Sequence, residues 1–339
     1  KELELRKDYL DGEIIDTIYF GGGTPSQLDK EDFETIFYYL HKNYSISSHP
    51  EITLEANPDD LTPDYIAMLR TLPFNRLSMG IQTFNESILK VLQRRHTARQ
   101  AIEAFQNCRA AGFQNISIDL MYGLPGETLS TWQQDLDQAL LLHPEHLSAY
   151  HLIYEEDTVL WKLREQHKVE EADEDLSVSL FSTLIDRLTS EGYDHYEISN
   201  FSLPGLYSRH NSSYWTEKKY LGCGPSAHSY NGVSRQWNVA SLDTYIKGIS
   251  AGTPVFEIEE LDLYTRYNDF VITRIRTEWG MPLSKLRDEF GEKLYDYCLR
   301  MAAPHLKQGT LELVNDILKL TRKGIFISDG IMSDMLWTD

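Results

Sequence analysis

Cysteine, basic charge and long apolar runs are all scarce in this chain of 339 residues. Its three cysteines, Cys108, Cys223 and Cys298, are widely spaced. That spacing excludes a disulfide framework and a metal cluster built from neighbouring thiols, and the lone Cys223 reads as a core residue. No stretch of about 18 apolar residues occurs, so no segment reads as a membrane-spanning helix. Lys and Arg number 32 against 52 Asp and Glu, a formal net charge of −20. This balance argues against a phosphate backbone such as DNA or tRNA as partner. Gly-x-Gly-x-x-Gly is absent, and no glycine loop continues into Gly-Lys-Ser/Thr, so the two common nucleotide-phosphate templates are excluded. The chain opens on Lys1 and runs straight into a charged helical segment. It therefore reads as a protein whose N-terminus lies further upstream, and targeting signals are not legible.

What is present is a repeat of strand and helix. Apolar runs at 17–20, 51–55, 76–81, 116–120 and 147–153 alternate with helical patterns such as 29–42 and 98–111. Such alternation predicts parallel βα units, in either a doubly wound sheet or a barrel. The polar residues decide between the two. Each run ends in a group with chemistry: glycines after Phe20, Glu55 before Asn57-Pro58, Gln82 after Ile81, and Asp119 before Tyr122-Gly123-Leu124-Pro125. Barrels gather working groups at the C-terminal ends of several strands, whereas doubly wound folds concentrate them at one switch point. A barrel is predicted. In "GGGTPS" (21–26), Thr24 and open backbone suit a small zwitterion, because N–H and C=O groups hold a carboxylate and an ammonium side by side.

Four segments occur in order: "GGGTPS", "LEANPDDLT" (54–62), "RLSMGIQTFNESILKVLQRRH" (76–96) and "SIDLMYGLPGET" (117–128). As a set they resemble the radical S-adenosylmethionine (SAM) enzymes of the oxygen-independent coproporphyrinogen III oxidase family. The resemblance covers essentially the whole chain. It implies an α/β fold with a partial (β/α)6 barrel, its first strand and cluster loop missing here, and SAM across the strand ends. By motif, Gly22, Gly23 and Thr24 are expected at the methionine end of SAM and Arg94 at its carboxylate. Glu55, Gln82 and Asp119 are expected at amino and ribose groups, and Ile153 at the adenine. A guanidinium suits a carboxylate, and carboxylate or amide side chains suit paired hydroxyls. The family's Cys-x3-Cys-x2-Cys, which holds a [4Fe–4S] cluster, is absent from these residues and is expected upstream of Lys1.

The second half narrows the branch. His210-Asn211-x-x-Tyr214-Trp215 resembles the haem-chaperone branch of that family. A haem iron takes an axial ligand such as His beside an apolar or aromatic slot. His210, Tyr214 and Trp215 are accordingly haem candidates, with His228 a further one. The resemblance implies binding of haem and its delivery to haemoproteins, in the cytoplasm and at the membrane. The alternative is oxidative decarboxylation of coproporphyrinogen III to protoporphyrinogen IX in porphyrin biosynthesis. There, Arg209 or Arg235 would meet the propionates. Three regions are expected: a barrel at 1–155, a family-specific extension at 156–255, and a C-terminal helical, winged-helix-like region at 256–339. In the last, Leu320-Thr321-x-x-Gly324-Ile325 resembles the closure of a winged helix.

Overall fold

The computed structural model describes residues 1–338. Five strands follow the predicted runs: β1 (Ile15–Phe20), β2 (Ile46–Ala56), β3 (Arg76–Gln82), β4 (Ile116–Tyr122) and β5 (His146–His151). A hairpin of β6 (Asp194–Glu197) and β7 (Asn200–Ser202) completes a curled seven-stranded sheet in the order β1-β2-β3-β4-β5-β7-β6. Strands β2 to β5 are parallel, and β7 pairs antiparallel with both β5 and β6.

Register shows why this is a barrel wall and not a doubly wound sheet. On one face, paired positions carry Leu54 and Leu77, Met79 and Ile118, and Ile118 and Leu147, all fully buried. The helices Ala98–Ala110, Leu129–Leu141 and Glu174–Ser190 cover that face, with Phe105, Trp132 and Leu184 buried among them. The Trp132 indole N–H donates to the Leu180 carbonyl at 3.0 Å. The other face is polar: Thr53 beside Arg76, Glu55 beside Ser78, Ser117 beside His146, and Asp119 beside Ser148. A sheet with helices on both faces needs apolar side chains on both. Here the period-two alternation gives one packed face and one polar face that lines the interior of a half-barrel.

Caps fix the helix starts. Thr97 with Gln100 and Thr128 with Thr131 form reciprocal capping arrangements. Gly112 follows the helix Ala98–Ala110 with φ of 98°, the left-handed geometry that lets the chain turn away.

By compactness the chain divides into residues 17–34 with 51–208, and residues 1–16, 35–50 and 209–339. Within the second unit, β8 (His228–Tyr230), β9 (Ser234–Asn238) and β10 (Phe256–Glu260) form an antiparallel sheet. The short helix Glu2–Leu5 is tied to it: the buried Glu2 carboxylate accepts from the Gly224 N–H at 2.9 Å and the Asn238 amide at 2.7 Å. Further on, β11 (Met281–Pro282), β12 (Leu311–Val314) and β13 (Ile317–Leu320) form a three-stranded wing in the order β11-β13-β12. It is joined to the helices Leu263–Ile275, Leu283–Gln308 and Ser328–Met335, whose apolar sides bury Tyr267, Phe270, Leu286 and Cys298. Thr321 caps the following turn by accepting from the Gly324 N–H. A side chain at Gly324 would place Cβ 1.9 Å from the Thr310 carbonyl oxygen, so only glycine closes this wing.

Cys223 corrects the sequence reading. It is exposed, in the loop between the Tyr220 bridge and β8. That loop contains Gly222, Gly224 and Pro225, and although the residue is open to the surface, burial by the surrounding protein raises the thiol pKa. Among the described residues no helix is long and apolar enough to cross a membrane.

Candidate functional site

The polar interior of the half-barrel opens at the C-terminal ends of its strands, where most of the expected site residues stand. Tyr19 on β1 donates its hydroxyl to Glu55 Oε1 at 2.6 Å, and the Gly22 N–H reaches Glu55 Oε2 at 3.2 Å. The glycines have separate reasons. An added Cβ at Gly21 would lie 2.5 Å from Tyr19 Cε1 and 2.7 Å from Glu55 Oε1, whereas Gly22 has φ of +76°. Gly23 and Thr24 are exposed, and Thr24 precedes the turn Pro25–Gln27.

Arg94 approaches from the loop after β3. Its Nη2 donates to Asn57 Oδ1 and to the Gly80 carbonyl, both at 2.8 Å. Both acceptors are neutral. No carboxylate lies within ion-pair distance of Arg94 among the described residues, whereas adjacent Arg95 pairs with Asp59 and Asp60. Burial lowers the Arg94 pKa, against the raising effect of Asp59, but a guanidinium stays charged. Arg94 is thus a half-buried cation anchored by neutral groups. Gln82 holds φ of 71° beside a register shift at Gly80. A Cβ on Gly80 would come within 3.0 Å of Gln82 Nε2 and 3.5 Å of Arg94 Nη2, so that glycine lets both side chains converge.

Asp119 on β4 accepts from Ser78 Oγ at 3.3 Å. Burial, and then the Glu55 carboxylate, raise its pKa to about 6, with Arg76 and Ser78 opposing the rise. Ile153, just beyond β5, is 75% exposed. With Val91, Leu92, Gln93 and Val159 it lines a cleft of about 270 Å³, next in sequence to Arg94. The structure therefore gathers Gly22 with Glu55, Arg94 with Gly80 and Gln82, and Ile153 with the segment that carries Arg94.

The haem candidates lie in the unit that holds β8 to β10. On the helix Arg209–Tyr214, His210 Nε2 and the Tyr214 hydroxyl are 3.0 Å apart, their rings edge-to-face at 5.2 Å. Tyr214 continues into Tyr220 (4.9 Å) and Tyr220 into Tyr230 (6.1 Å). Trp215 is half-buried with the Arg276 guanidinium 4.3 Å over its ring, and its indole N–H is buried without a hydrogen-bond partner. His228 is not in this group. It lies exposed on β8, stacked on Trp237 at 6.0 Å.

Sequence reasoning missed Tyr19, Asn57, Ser78 and Tyr220. Only the period-two alternation that puts Tyr19 and Ser78 on the polar face signalled any of them.

Three cysteines do not suit an iron–sulfur cluster here: Cys108 and Cys298 are buried and Cys223 exposed. Among the described residues no group of His, Cys, Asp and Glu is placed to hold a metal ion.

Residues 2–139 match the Radical SAM superfamily and residues 261–327 the HemN C-terminal domain. The chain is 32% identical over 336 residues to the heme chaperone HemW of Mycobacterium tuberculosis, covering 99% of this chain and 84% of that protein. It is 30% identical over 324 residues to heme chaperone HemW of Bacillus subtilis, covering 95% and 86%. Among solved structures, coproporphyrinogen III oxidase (HemN) from Escherichia coli superposes with a TM-score of 0.83 at 23% identity, covering 98% of this chain and 81% of that one.

Proposed function

The chain belongs to the HemW family of radical SAM proteins, and from that premise we propose that it binds SAM in the half-barrel, binds haem at His210, and passes haem to apo-haemoproteins. For SAM, the supporting observation is Arg94, a cation held by Asn57 and Gly80 with no carboxylate partner among the described residues. SAM, when bound, supplies the carboxylate such a cation lacks, along with an ammonium, ribose hydroxyls and a sulfonium. Glu55, Gln82 and Asp119 offer acceptors to the amino and hydroxyl groups, Gly22 to Thr24 offer backbone to the methionine end, and Ile153 offers an apolar edge to the adenine. The cysteines of this chain do not fit a [4Fe–4S] cluster.

For haem, the observation that carries the reading is the pairing of His210 with Tyr214 beside Trp215, whose indole N–H lacks a partner. An imidazole supplies an axial ligand, and aromatic rings supply apolar contact. Porphyrinogen decarboxylation would need cations for more propionates than haem carries. Arg209 already donates to the His49 carbonyl at 2.9 Å and lies 3.8 Å from Asp16, and Arg235 is paired with Asp269. Haem titration tests the proposal. Wild type should give a sharp Soret band, His210→Ala a shifted or broadened one, and Trp215→Ala weaker binding with little spectral change. An unchanged band in His210→Ala would remove His210 as ligand.

A further inference from the structure

The sheet β8–β9–β10 ends in an edge strand that no other segment covers among the described residues. Every residue of β10 is exposed, Phe256 at 39% and Ile258 at 51%. Its pairing with β9 is continuous from Phe256↔Asn238 to Glu260↔Ser234, without a bulge, and the strand contains no proline. The hydrogen bonds Val239 N–H to Val255 C=O and Leu261 N–H to Val233 C=O fix the phase of the ladder. Odd-numbered residues bond β9, so the main-chain groups of Phe256, Ile258 and Glu260 point to the open side. Among the described residues no other segment bonds them there. Natural edges are blunted by bulges, prolines, inward-pointing charges, short length or charged side chains; β10 lacks the first three and carries Glu257, Glu259 and Glu260, which disfavour an acidic strand and leave a basic one free to pair.

The side chains select what pairs with this edge. Glu257 and Glu259 project to one face. Among the described residues Glu257 accepts only from the neutral Trp237 indole at 3.2 Å, and Glu259 lies 3.9 Å from Arg235, which is already paired with Asp269. Phe256, Ile258 and Glu260 project to the other. A second copy of this chain is a poor match. Across a two-fold axis, every antiparallel register that engages two or more outward residues of each β10 sets Glu257 or Glu259 of one copy opposite Glu257 or Glu259 of the other. Like charges directly opposite destabilise a strand pair.

We propose that β10 is a docking edge for a partner protein that adds an extended strand alternating basic and apolar residues, the basic ones opposite Glu257 and Glu259 and an apolar one beside Ile258. Main-chain bonds give affinity in such strand addition and alternate side chains give specificity. The inference does not depend on haem or SAM binding.

The probes are two labelled peptides, one alternating lysine with valine and one alternating glutamate with valine, titrated into the haem-free protein and followed by anisotropy. The lysine peptide should bind and the glutamate peptide should not. Ile258→Pro removes an outward N–H without touching the β9 ladder, and should weaken lysine-peptide binding about tenfold or more with an unchanged circular dichroism spectrum. Glu257→Lys with Glu259→Lys should reverse the preference, which decides the matter even if the proline variant misfolds. Equal binding of both peptides, or lysine-peptide binding that survives the charge reversal, would overturn the proposal. So would a concentration-dependent dimer of wild type that Ile258→Pro abolishes, since the edge would then belong to a second copy.

Discussion

Replacing Arg94 with alanine removes a half-buried cation that no carboxylate of the described residues neutralises, and it leaves Asn57 Oδ1 and the Gly80 carbonyl to solvent. A carboxylate about 4 Å from a guanidinium near a protein surface gains about 4 kcal/mol. Partial solvent exposure and the cost of ordering both groups reduce this, so truncation should cost about 2–4 kcal/mol. In affinity that is about 30-fold to 1000-fold. Calorimetric titration of SAM into wild type and Arg94→Ala measures the loss directly. Decarboxylated SAM closes the cycle: it should bind wild type more weakly than SAM does, and Arg94→Ala should no longer distinguish the two. Arg94→Lys should fall between, because a point charge cannot hold Asn57, Gly80 and a carboxylate in one plane. If Arg94→Ala binds SAM as wild type does, or still prefers SAM over the decarboxylated form, the carboxylate is held elsewhere.

Asp119 titrates at about 6, so SAM affinity should fall as pH drops through that value and stay flat in Asp119→Asn. An identical pH profile in both would separate Asp119 from the ligand. Glu127 is buried, accepts from the Gly123 N–H at 2.6 Å, and is raised by burial from 4.5 to about 7. Below pH 4.5 the group is neutral in folded and unfolded chain alike. As pH rises through about 7 the unfolded chain ionises first, and about 3 kcal/mol of stability is lost. Urea unfolding should show that slope in wild type and not in Glu127→Gln; an unchanged slope in the variant would assign it to another group. Gly21→Ala drives Cβ into Tyr19 and Glu55 and should cost about 1–3 kcal/mol by thermal unfolding. Gly23→Ala, with nothing within 4 Å, is its control, and equal stability of the two would show that the loop yields freely.

The parallel strands β2 to β5 were legible because their apolar residues bury one face, and Leu77, Met79 and Ile81 on β3 show that pattern plainly. The short β6 and β7 were not, since Asp194–Glu197 and Asn200–Ser202 carry mostly polar side chains and gain their place only by pairing with β5. Gln82 ends β3 where the apolar residues stop, and Glu55 and Asp119 stood out as polar residues late in apolar runs. What sequence could not give was partnership. That Tyr19 bonds Glu55, or that Asn57 anchors Arg94 from 37 residues away, depends on the register of neighbouring strands. Cys223 misled for the same reason: a thiol is commonly buried, but the glycines and proline around it keep its loop at the surface.

The central claim is that this protein binds haem and gives it up to another protein, and haem transfer measures it. Haem-loaded protein is mixed with a haem-free globin, and the Soret band is followed as the globin spectrum appears. The account predicts transfer of haem to the globin, with His210→Ala loading poorly and donating correspondingly less. A protein that fails to load haem, or one whose loading and donation are unchanged in His210→Ala, would contradict it.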